Sequence, residues 1–282
     1  PPQHLSESTF FDKFLVSNFY SEDSINLIVN EKPDAIVHCA GTSLVGPSIK
    51  NPSVYYENNF VGTKILLDAV LQHNLKTRII FSSSAATYGE PLLTPINEVD
   101  PQLPCNPYGQ SKLMVEMMLE SYHVAYGLDY VGFRYFNVCG ADSQTRHGQA
   151  PGATHLIARI LEAIRNKETF YLNGTDFPTL DGTCVRDYVH VQDIAKAHTY
   201  AVQHATKGFY NLSSGEGYSN KQIIDTAFEV VGETIDIVKG PARPGDPAIL
   251  NGSYEKFNNE TGWAPEHNLE KIVSHAWTWY NR

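Results

Sequence analysis

Short apolar runs alternate along the chain with segments whose apolar residues recur at helical spacing. The apolar runs predict strands at residues 13–16, 35–39, 78–82 and 130–134. The helical spacing predicts helices at residues 21–30, 55–72, 107–126, 155–165, 191–205, 220–231 and 269–280. Because the strands are apolar throughout, we expect helices to cover both of their faces, as in a parallel sheet. The pattern therefore predicts an α/β fold with a doubly wound parallel sheet.

The character of the sequence changes after Asn137. Residues 140–152 are rich in glycine and polar residues, and residues 173–183 have the composition of a ligand-facing turn region. We expect residues 1–137 to form a Rossmann-like domain that binds a dinucleotide, and residues 138–282 to form mainly a smaller C-terminal α/β substrate domain. A dinucleotide-binding sheet begins with a strand, a glycine-rich turn and a helix, and nothing of that kind precedes Lys13. We therefore expect the N-terminal βαβ unit to be missing from this chain of 282 residues.

Composition and charge narrow the class of protein. Hydrophobic residues make up 42% of the chain and charged residues 18%, which is the balance of a soluble globular protein. No apolar run approaches the ~18 residues of a membrane-spanning helix, so we expect no membrane segment. The formal charge of −10 argues against a nucleic-acid partner. The four cysteines show no C-x-x-C spacing, so we expect a cytoplasmic protein with no disulfide framework and no metal site.

The first candidate for chemistry is the pair Tyr108 and Lys112. Residues four apart lie on one face of a helix, so the phenol and the ammonium can face a common site. A tyrosine ordinarily ionises near pH 10, and a neighbouring cation lowers that pKa by favouring the phenolate. The spacing alone is also that of many surface pairs, but it is compatible with a general base that can return the proton it removes.

A serine-rich segment gives this pair a context. Ser82, Ser83 and Ser84 come at the end of a predicted buried strand. Ligands of open α/β sheets bind beyond the carboxyl ends of the strands. A serine at that position can hydrogen-bond a substrate hydroxyl and the phenol together, so we expect Ser84 to lie beside Tyr108.

Several motifs occur in the order and spacing of one enzyme family. They are SSSAATYG at residues 82–89, PYGQSK at 107–112, RYFN at 134–137, DGTCVRDYVHV at 181–191 and RPGD at 243–246. With these motifs, the chain from about Lys13 onward resembles the UDP-galactose/UDP-glucose 4-epimerases, which are extended short-chain dehydrogenases. The resemblance implies NAD-dependent epimerisation at C4 of a UDP-hexose through a 4-keto sugar, in galactose metabolism or glycan precursor supply.

The resemblance also implies the site residues, by matching position. The catalytic residues would be Ser84, Tyr108 and Lys112. The NAD site would be lined by Asn18, Phe19, Cys39, Ala40, Gly41, Asn58, Ser82, Ser83 and Tyr135, together with Tyr108 and Lys112. The UDP-sugar would be bound by Ser84, Asn137, His155, Leu156, Arg186, Arg243 and Asp246. Two guanidinium groups can clamp a diphosphate through charge-assisted hydrogen bonds, and a carboxylate can accept from ribose hydroxyls.

Some features depart from the family or leave alternatives open. Many relatives carry a lysine soon after the motif that ends at Gly41, where this chain has Thr42, Ser43 and Leu44, so we expect one contact to the cofactor phosphate to be missing. A 4,6-dehydratase usually carries acidic residues after the catalytic serine, and the alanines at positions 85 and 86 argue against that reaction. Epimerisation of UDP-GlcNAc or of a UDP-pentose stays open, as does a non-catalytic nucleotide-sugar-binding remnant. Family resemblance further predicts a homodimer formed by the helices at 55–72 and 107–126.

Overall fold

The computed structural model describes residues 12–204, 206–241 and 247–282. The strands are β1 (Ala35–His38), β2 (Arg78–Ser84), β3 (Tyr130–Tyr135), β4 (Asn137–Cys139), β5 (Phe170–Asn173), β6 (Val185–Arg186), β7 (Tyr188–His190), β8 (Gly208–Leu212), β9 (Tyr218–Ser219), β10 (Ile237–Gly240) and β11 (Ile249–Leu250). The α-helices are α1 (Glu22–Glu31), α2 (Val45–Lys50), α3 (Pro52–Tyr55), α4 (Gly62–Gln72), α5 (Pro107–Tyr126), α6 (Leu156–Asn166), α7 (Val191–Gln203), α8 (Asn220–Val231), α9 (Glu255–Thr261) and α10 (Leu269–Tyr280). None of these helices combines the length and the apolar character needed to traverse a bilayer.

The central sheet is parallel, with strand order β1-β2-β3-β8. Successive side chains of a strand point to opposite faces, so Ile79 and Phe81 pack against α4 and α5 whereas Ile80 packs against α7. Both faces are therefore buried under helices, and the predicted doubly wound α/β class is confirmed.

Capping residues explain why several predicted helix bounds agree with the structure. The side chain of Asn106 accepts a hydrogen bond from the backbone N–H of Gly109 at the start of α5, where Pro107 takes the first helical position. Gly127 ends the helix in the left-handed conformation with φ 71°. Ser21 caps α1 in the same way, by accepting from the backbone N–H of Ser24. These ends are fixed by local chemistry, so the sequence predicts them well.

Two predicted elements differ from the structure. Residues 13–16 are not a strand; they form no ladder, and the side chains of Phe14, Leu15 and Val16 are exposed. The apolar run predicted a strand, but a strand also needs a neighbouring strand to pair with. The single helix predicted over 55–72 is interrupted by a π-helical turn at Tyr56–Val61, between α3 and α4. A π-helical turn differs from an α-helical turn by about one residue, so the spacing of the apolar residues over 55–72 does not reveal the interruption.

The rest of the chain forms smaller sheets and a second helical layer. Helices α6, α8 and α10 pack together with the pair β5-β10 around a separate apolar core. Strand β6 lies between β11 and β9, and β4 pairs with β7. The chain also returns to the central sheet, because β8 pairs with β3. The division into residues 1–137 and 138–282 stays a prediction.

Candidate active site

Ser84 and Tyr108 meet where β2 ends and α5 begins. Ser84 is the last residue of β2, and its hydroxyl accepts a hydrogen bond of 3.2 Å from the backbone N–H of Ala86. It also lies close enough to the phenol of Tyr108, in the first turn of α5, to act on the pKa of that phenol. A Cβ atom at Gly109 would lie 2.3 Å from the carbonyl oxygen of Ala86. Glycine therefore allows the helix to approach this turn closely, which brings the serine and the phenol near each other.

Lys112 lies one helical turn after Tyr108 and is buried. Its Nζ donates a hydrogen bond of 2.8 Å to the carbonyl oxygen of Ser82. Burial lowers the pKa of this ammonium to about 8, although Cys39 and Glu116 act in the opposite direction. The structure thus brings the three predicted catalytic residues together at the carboxyl edge of the sheet.

The expected effect of Lys112 on the phenol is not present in the chain by itself. Burial raises the pKa of Tyr108 above its ordinary value, and the hydrogen bond with Ser84 offsets only part of that rise. The Nζ of Lys112 is directed at the backbone of Ser82 rather than at the phenol. Lowering the pKa of Tyr108 therefore requires a further positive charge in the site.

The loop after β1 faces these residues. Cys39 and Ala40 are exposed, and Gly41 approaches the interior so closely that a Cβ atom would lie 2.8 Å from Oδ1 of Asn59 and 3.7 Å from Nζ of Lys112. Asn59 holds the loop in place because its Oδ1 accepts from the backbone N–H of Thr42 at 2.7 Å and its Nδ2 donates to the carbonyl of Thr42 at 3.0 Å. The result is a cradle of backbone next to a buried ammonium.

A hydrogen-bonded chain runs from Ser82 to Tyr135 and His198. Nδ1 of His198 lies 2.9 Å from the carbonyl oxygen of Ile194, so this nitrogen carries the proton and Nε2 accepts from the phenol of Tyr135 at 2.7 Å. The hydroxyl of Ser82 is 2.8 Å from the same phenol. Burial lowers the pKa of His198, which agrees with a neutral ring. Ser82 and Tyr135 therefore lie side by side at the end of the sheet, and their contact with NAD stays a prediction.

Other residues of the predicted NAD site are arranged differently. The side chain of Ser83 is on the face of β2 opposite to Ser82 and donates to the buried carboxylate of Glu116, so it points away from Ser82 and Tyr135. The ring of Phe19 packs against His38, with centroids 4.8 Å apart. Asn18 is exposed beside it, and Nδ2 of Asn58 donates to Oγ1 of Thr42 at 3.0 Å.

The predicted nucleotide-sugar residues line a second region. Nδ2 of Asn137 donates to the carbonyl oxygen of Asp187 at 2.9 Å, and Arg186 is half-buried in β6. His155 is exposed just before α6, with no hydrogen bond from its side chain to the helix end, and Leu156 begins the helix. The backbone N–H groups at such an end attract anions. The predicted residues Arg243 and Asp246 lie outside the described residues.

Comparison with known proteins identifies the family to which the chain belongs. The chain is 43% identical to the UDP-glucose 4-epimerase of Halalkalibacterium halodurans over 288 residues, which covers 98% of this chain and 84% of that protein. The chain belongs to the UDP-glucose 4-epimerase family. A family model described as GDP-mannose 4,6 dehydratase matches residues 13–276, and the chain belongs to that family too.

Solved structures of this family agree in fold. The Bifidobacterium longum UDP-glucose 4-epimerase, in complex with NAD+ and UDP, superposes with a TM-score of 0.88 at 34% identity and covers 95% of this chain and 82% of that chain. The UDP-Glc/GlcNAc 4-epimerase from Campylobacter jejuni superposes with a TM-score of 0.79 at 37% identity and covers 95% of this chain and 84% of that chain. The predicted family and fold are confirmed.

Sequence reasoning missed two buried polar residues of this epimerase-family site. Asn59 joins the loop after β1 to α5, because its Nδ2 lies 2.9 Å from Oγ of Ser111, next to Lys112. Asp187 is fully buried next to Asn137, one of the predicted nucleotide-sugar residues. An asparagine inside an apolar helical stretch was the available signal for Asn59, since a polar group buried in a helix needs partners. Asp187 is inside the quoted motif at 181–191, but the motif does not reveal what its side chain contacts.

Three histidines cluster beyond the nucleotide-sugar region. His190, His267 and His275 each offer a nitrogen within 4.8 Å of the others. The rings of His190 and His267 are stacked, with centroids 4.0 Å apart and planes 18° apart. A metal ion lies near the plane of each imidazole that binds it, and one ion cannot lie in two nearly parallel planes. We therefore interpret this cluster as structural.

Proposed function

We propose that this chain interconverts UDP-galactose and UDP-glucose by epimerisation at C4, with NAD as a bound cofactor. The observation that carries the proposal is that Ser84, Tyr108 and the buried ammonium of Lys112 come together where β2 ends and α5 begins. Binding alone does not require a phenol, a serine and an ammonium arranged in this way. The names of the relatives at 34–43% identity support the same reaction.

The cofactor face fits NAD. The cradle at Gly41 would be filled by any Cβ atom, so it leaves backbone open to a close-lying group. Lys112 uses one of its donors on Ser82, and its position suits the ribose hydroxyls of the cofactor. When bound, NAD supplies the acceptor and donor of the C4 hydride and a positive charge near Tyr108.

The protein's own residues handle the proton. Tyr108 accepts the proton of the C4 hydroxyl as the sugar becomes a ketone and returns it after the sugar has turned over in the pocket. Ser84 donates to or accepts from the same oxygen and keeps it in line with the phenol. Lys112 fixes the end of β2 through Ser82 and adds positive potential beneath the site.

Two cationic side chains and one carboxylate bind the nucleotide end of the substrate. Arg186 and Arg243 are proposed to clamp the diphosphate, and Asp246 to accept from the ribose hydroxyls. Leu156 and His155 bring the N-terminal end of α6 to the same region, where its free backbone N–H groups add to the anion site. Asn137 is proposed to contact the UDP moiety at its edge.

The identity of the sugar is the finer part of the proposal. The residues after Ser84 are alanines, so no carboxylate is available there for the elimination catalysed by a 4,6-dehydratase. A relative that acts on both UDP-Glc and UDP-GlcNAc is 37% identical, which keeps N-acetylated sugars as the second candidate. UDP-pentoses are the third. Galactose metabolism or glycan precursor supply is the proposed setting.

We further propose a cytoplasmic homodimer. On α5, Met117, Val124 and Tyr126 are exposed, and Ile65 is exposed on α4. Two such helices from each subunit would bury these side chains against one another. Among the described residues the four cysteines form no disulfide, which is typical of proteins from a reducing compartment.

The proposal is tested with the intact protein and the variant Tyr108→Phe. Product NMR with UDP-galactose, UDP-GlcNAc and a UDP-pentose identifies the substrate. We expect the variant to lose nearly all turnover while it still binds UDP, because only the proton-transfer group is removed. Tyr56→Phe is the matched control, since the phenol of Tyr56 donates to Gln110 rather than to Ser84, Tyr108 or Lys112. Turnover of Tyr108→Phe close to that of the control would contradict the assignment of the base.

A further inference from the structure

Asp187 is a fully buried carboxylate for which the mechanism has no use. Among the described residues it forms no ion pair with Lys, Arg or His, so its charge is balanced by hydrogen bonds alone. Oδ1 accepts from the backbone N–H of Ser214 at 2.7 Å and from its hydroxyl at 2.8 Å, and Oδ2 accepts from the backbone N–H of Gly252 at 3.3 Å. A buried anion without a cation is costly, so its retention calls for an explanation.

The backbone groups of Asp187 also form hydrogen bonds to neighbouring segments. Its carbonyl oxygen accepts from both the backbone N–H of Asn137 at 3.0 Å and the Nδ2 of Asn137 at 2.9 Å. Its own N–H donates to the carbonyl oxygen of Leu250 at 3.1 Å. One residue therefore joins the start of β4, the turn after β8 and the segment that follows β11.

The position of these segments links them to the nucleotide sugar. Asn137 is one of the proposed UDP contacts, and Arg186 immediately precedes Asp187 in the chain. Arg186 lies between Tyr218 and Leu250 in the small sheet of β11, β6 and β9. The guanidinium of Arg186 can hold a diphosphate only if β6 keeps its place relative to the turn and to β11.

The charge of Asp187 suits this task. Burial raises the pKa of its carboxyl group to about 6, and the donated N–H groups of Ser214, Gly252 and Gly215 oppose a larger rise. The group is therefore mainly a carboxylate at neutral pH. A carboxylate can accept at both of its oxygens, whereas a neutral amide of the same shape accepts at one end and donates at the other.

We propose that Asp187 is a positioning residue for nucleotide-sugar binding: it holds the turn at Ser214, the backbone at Gly252 and the side chain of Asn137 in the arrangement that receives the UDP moiety. This inference rests on the proposed function. It assigns no contact between Asp187 and the reacting atoms, so it predicts an effect on substrate affinity rather than on the chemical step.

Two variants test the proposal. In Asp187→Asn, the amide N–H2 group would face the N–H of Gly252, so two donors would meet where the carboxylate accepted. In Ser214→Ala, only the hydroxyl contact of 2.8 Å is lost, which is the milder change if the first variant does not fold. Ser213→Ala is the matched control, because the Ser213 hydroxyl is buried in the same turn and makes no hydrogen bond within the described part of the chain.

Steady-state kinetics with UDP-galactose and NAD occupancy of the purified protein are the measurements. We expect Asp187→Asn to raise KM about tenfold or more and Ser214→Ala to raise it several-fold, because a lost hydrogen bond to a charged group is worth roughly a factor of ten in affinity. The kcat and the NAD occupancy of both variants should stay close to those of Ser213→Ala.

The outcomes separate this inference from the proposed function. An intact wild-type protein that epimerises no UDP-hexose contradicts the proposed function itself. An active wild type whose Asp187→Asn and Ser214→Ala variants keep the KM of the control overturns the positioning role. The same holds if kcat and NAD occupancy fall together with thermal stability while KM is unchanged, because that result describes a general structural defect.

Discussion

His190 should make the stability of the protein depend on pH. It is fully buried, its Nδ1 accepts from the backbone N–H of Gln192 at 3.0 Å, and its Nε2 lies 3.0 Å from Nδ1 of His275. Because Nδ1 accepts, the proton is on Nε2 and the ring is neutral. A second proton would break the bond to Gln192 and place a charge beside two further imidazoles. Burial, together with His267 and His275, lowers the pKa of His190 from 6.5 to about 3.

The size of this pH effect follows from the two pKa values of His190, 6.5 in the unfolded chain and about 3 in the folded protein. The unfolded chain binds a proton below pH 6.5, whereas the folded protein does so only near pH 3, so stability is lost as the pH falls through this window. Between neutral pH and about pH 5, the unfolded state gains about 2 kcal/mol from this one group. His38, whose pKa is lowered to about 4, adds a loss of the same sign, whereas Asp187, with its raised pKa, opposes it.

The variant His190→Gln isolates the contribution of His190. The amide can accept from Gln192 and donate to His275, but it does not titrate. Urea unfolding at neutral pH and at about pH 5 gives, for each protein, the change in the free energy of unfolding between the two pH values. The contributions of other groups, such as His38, are the same in both proteins and cancel when the two changes are compared. We expect the wild type to lose about 2 kcal/mol more than the variant on acidification. An equal loss in both proteins would refute the buried neutral state of His190.

Two further predictions concern the cofactor and the dimer. Gly41→Ala should lower the NAD content of the purified protein, because the new Cβ atom would lie 2.8 Å from Oδ1 of Asn59 and displace the loop. The absorbance of the released cofactor measures the NAD content. An NAD content equal to that of the wild type would argue against the cradle. Replacing Met117 by Glu should yield monomers in light scattering, since the exposed apolar face of α5 would then carry charges at the proposed interface, whereas Leu92→Glu, in an exposed loop, should not. A dimeric Met117→Glu protein would place the interface elsewhere.

The sequence predicted most reliably those features that depend on neighbouring residues. Helix α5 has the predicted bounds because Asn106, Pro107 and Gly127 encode its ends locally. The meeting of Ser84, Tyr108 and Lys112 was also predictable, since Tyr108 and Lys112 are one turn apart and Ser84 ends a strand. The strand at 13–16 was wrong because pairing depends on another part of the chain.

Features that depend on distant contacts were not predictable. Alternation along β2 places Ser83 on the face away from Ser82 and Ser84, and only the structure reveals that Glu116 binds it there. Asp187 gains its role from Ser214 and Gly252, which are remote in sequence. No local pattern records such a meeting of three segments.

The pairing of β8 with β3 has a consequence for biosynthesis. Val131 pairs with Gly208 and Tyr135 with Leu212, so one edge of β3 stays open until the ribosome has released the chain beyond residue 212. Until then a buried, apolar strand presents free N–H and C=O groups to the crowded interior of the cell. Nascent chains that pause before this point are the ones that chaperones would need to shield.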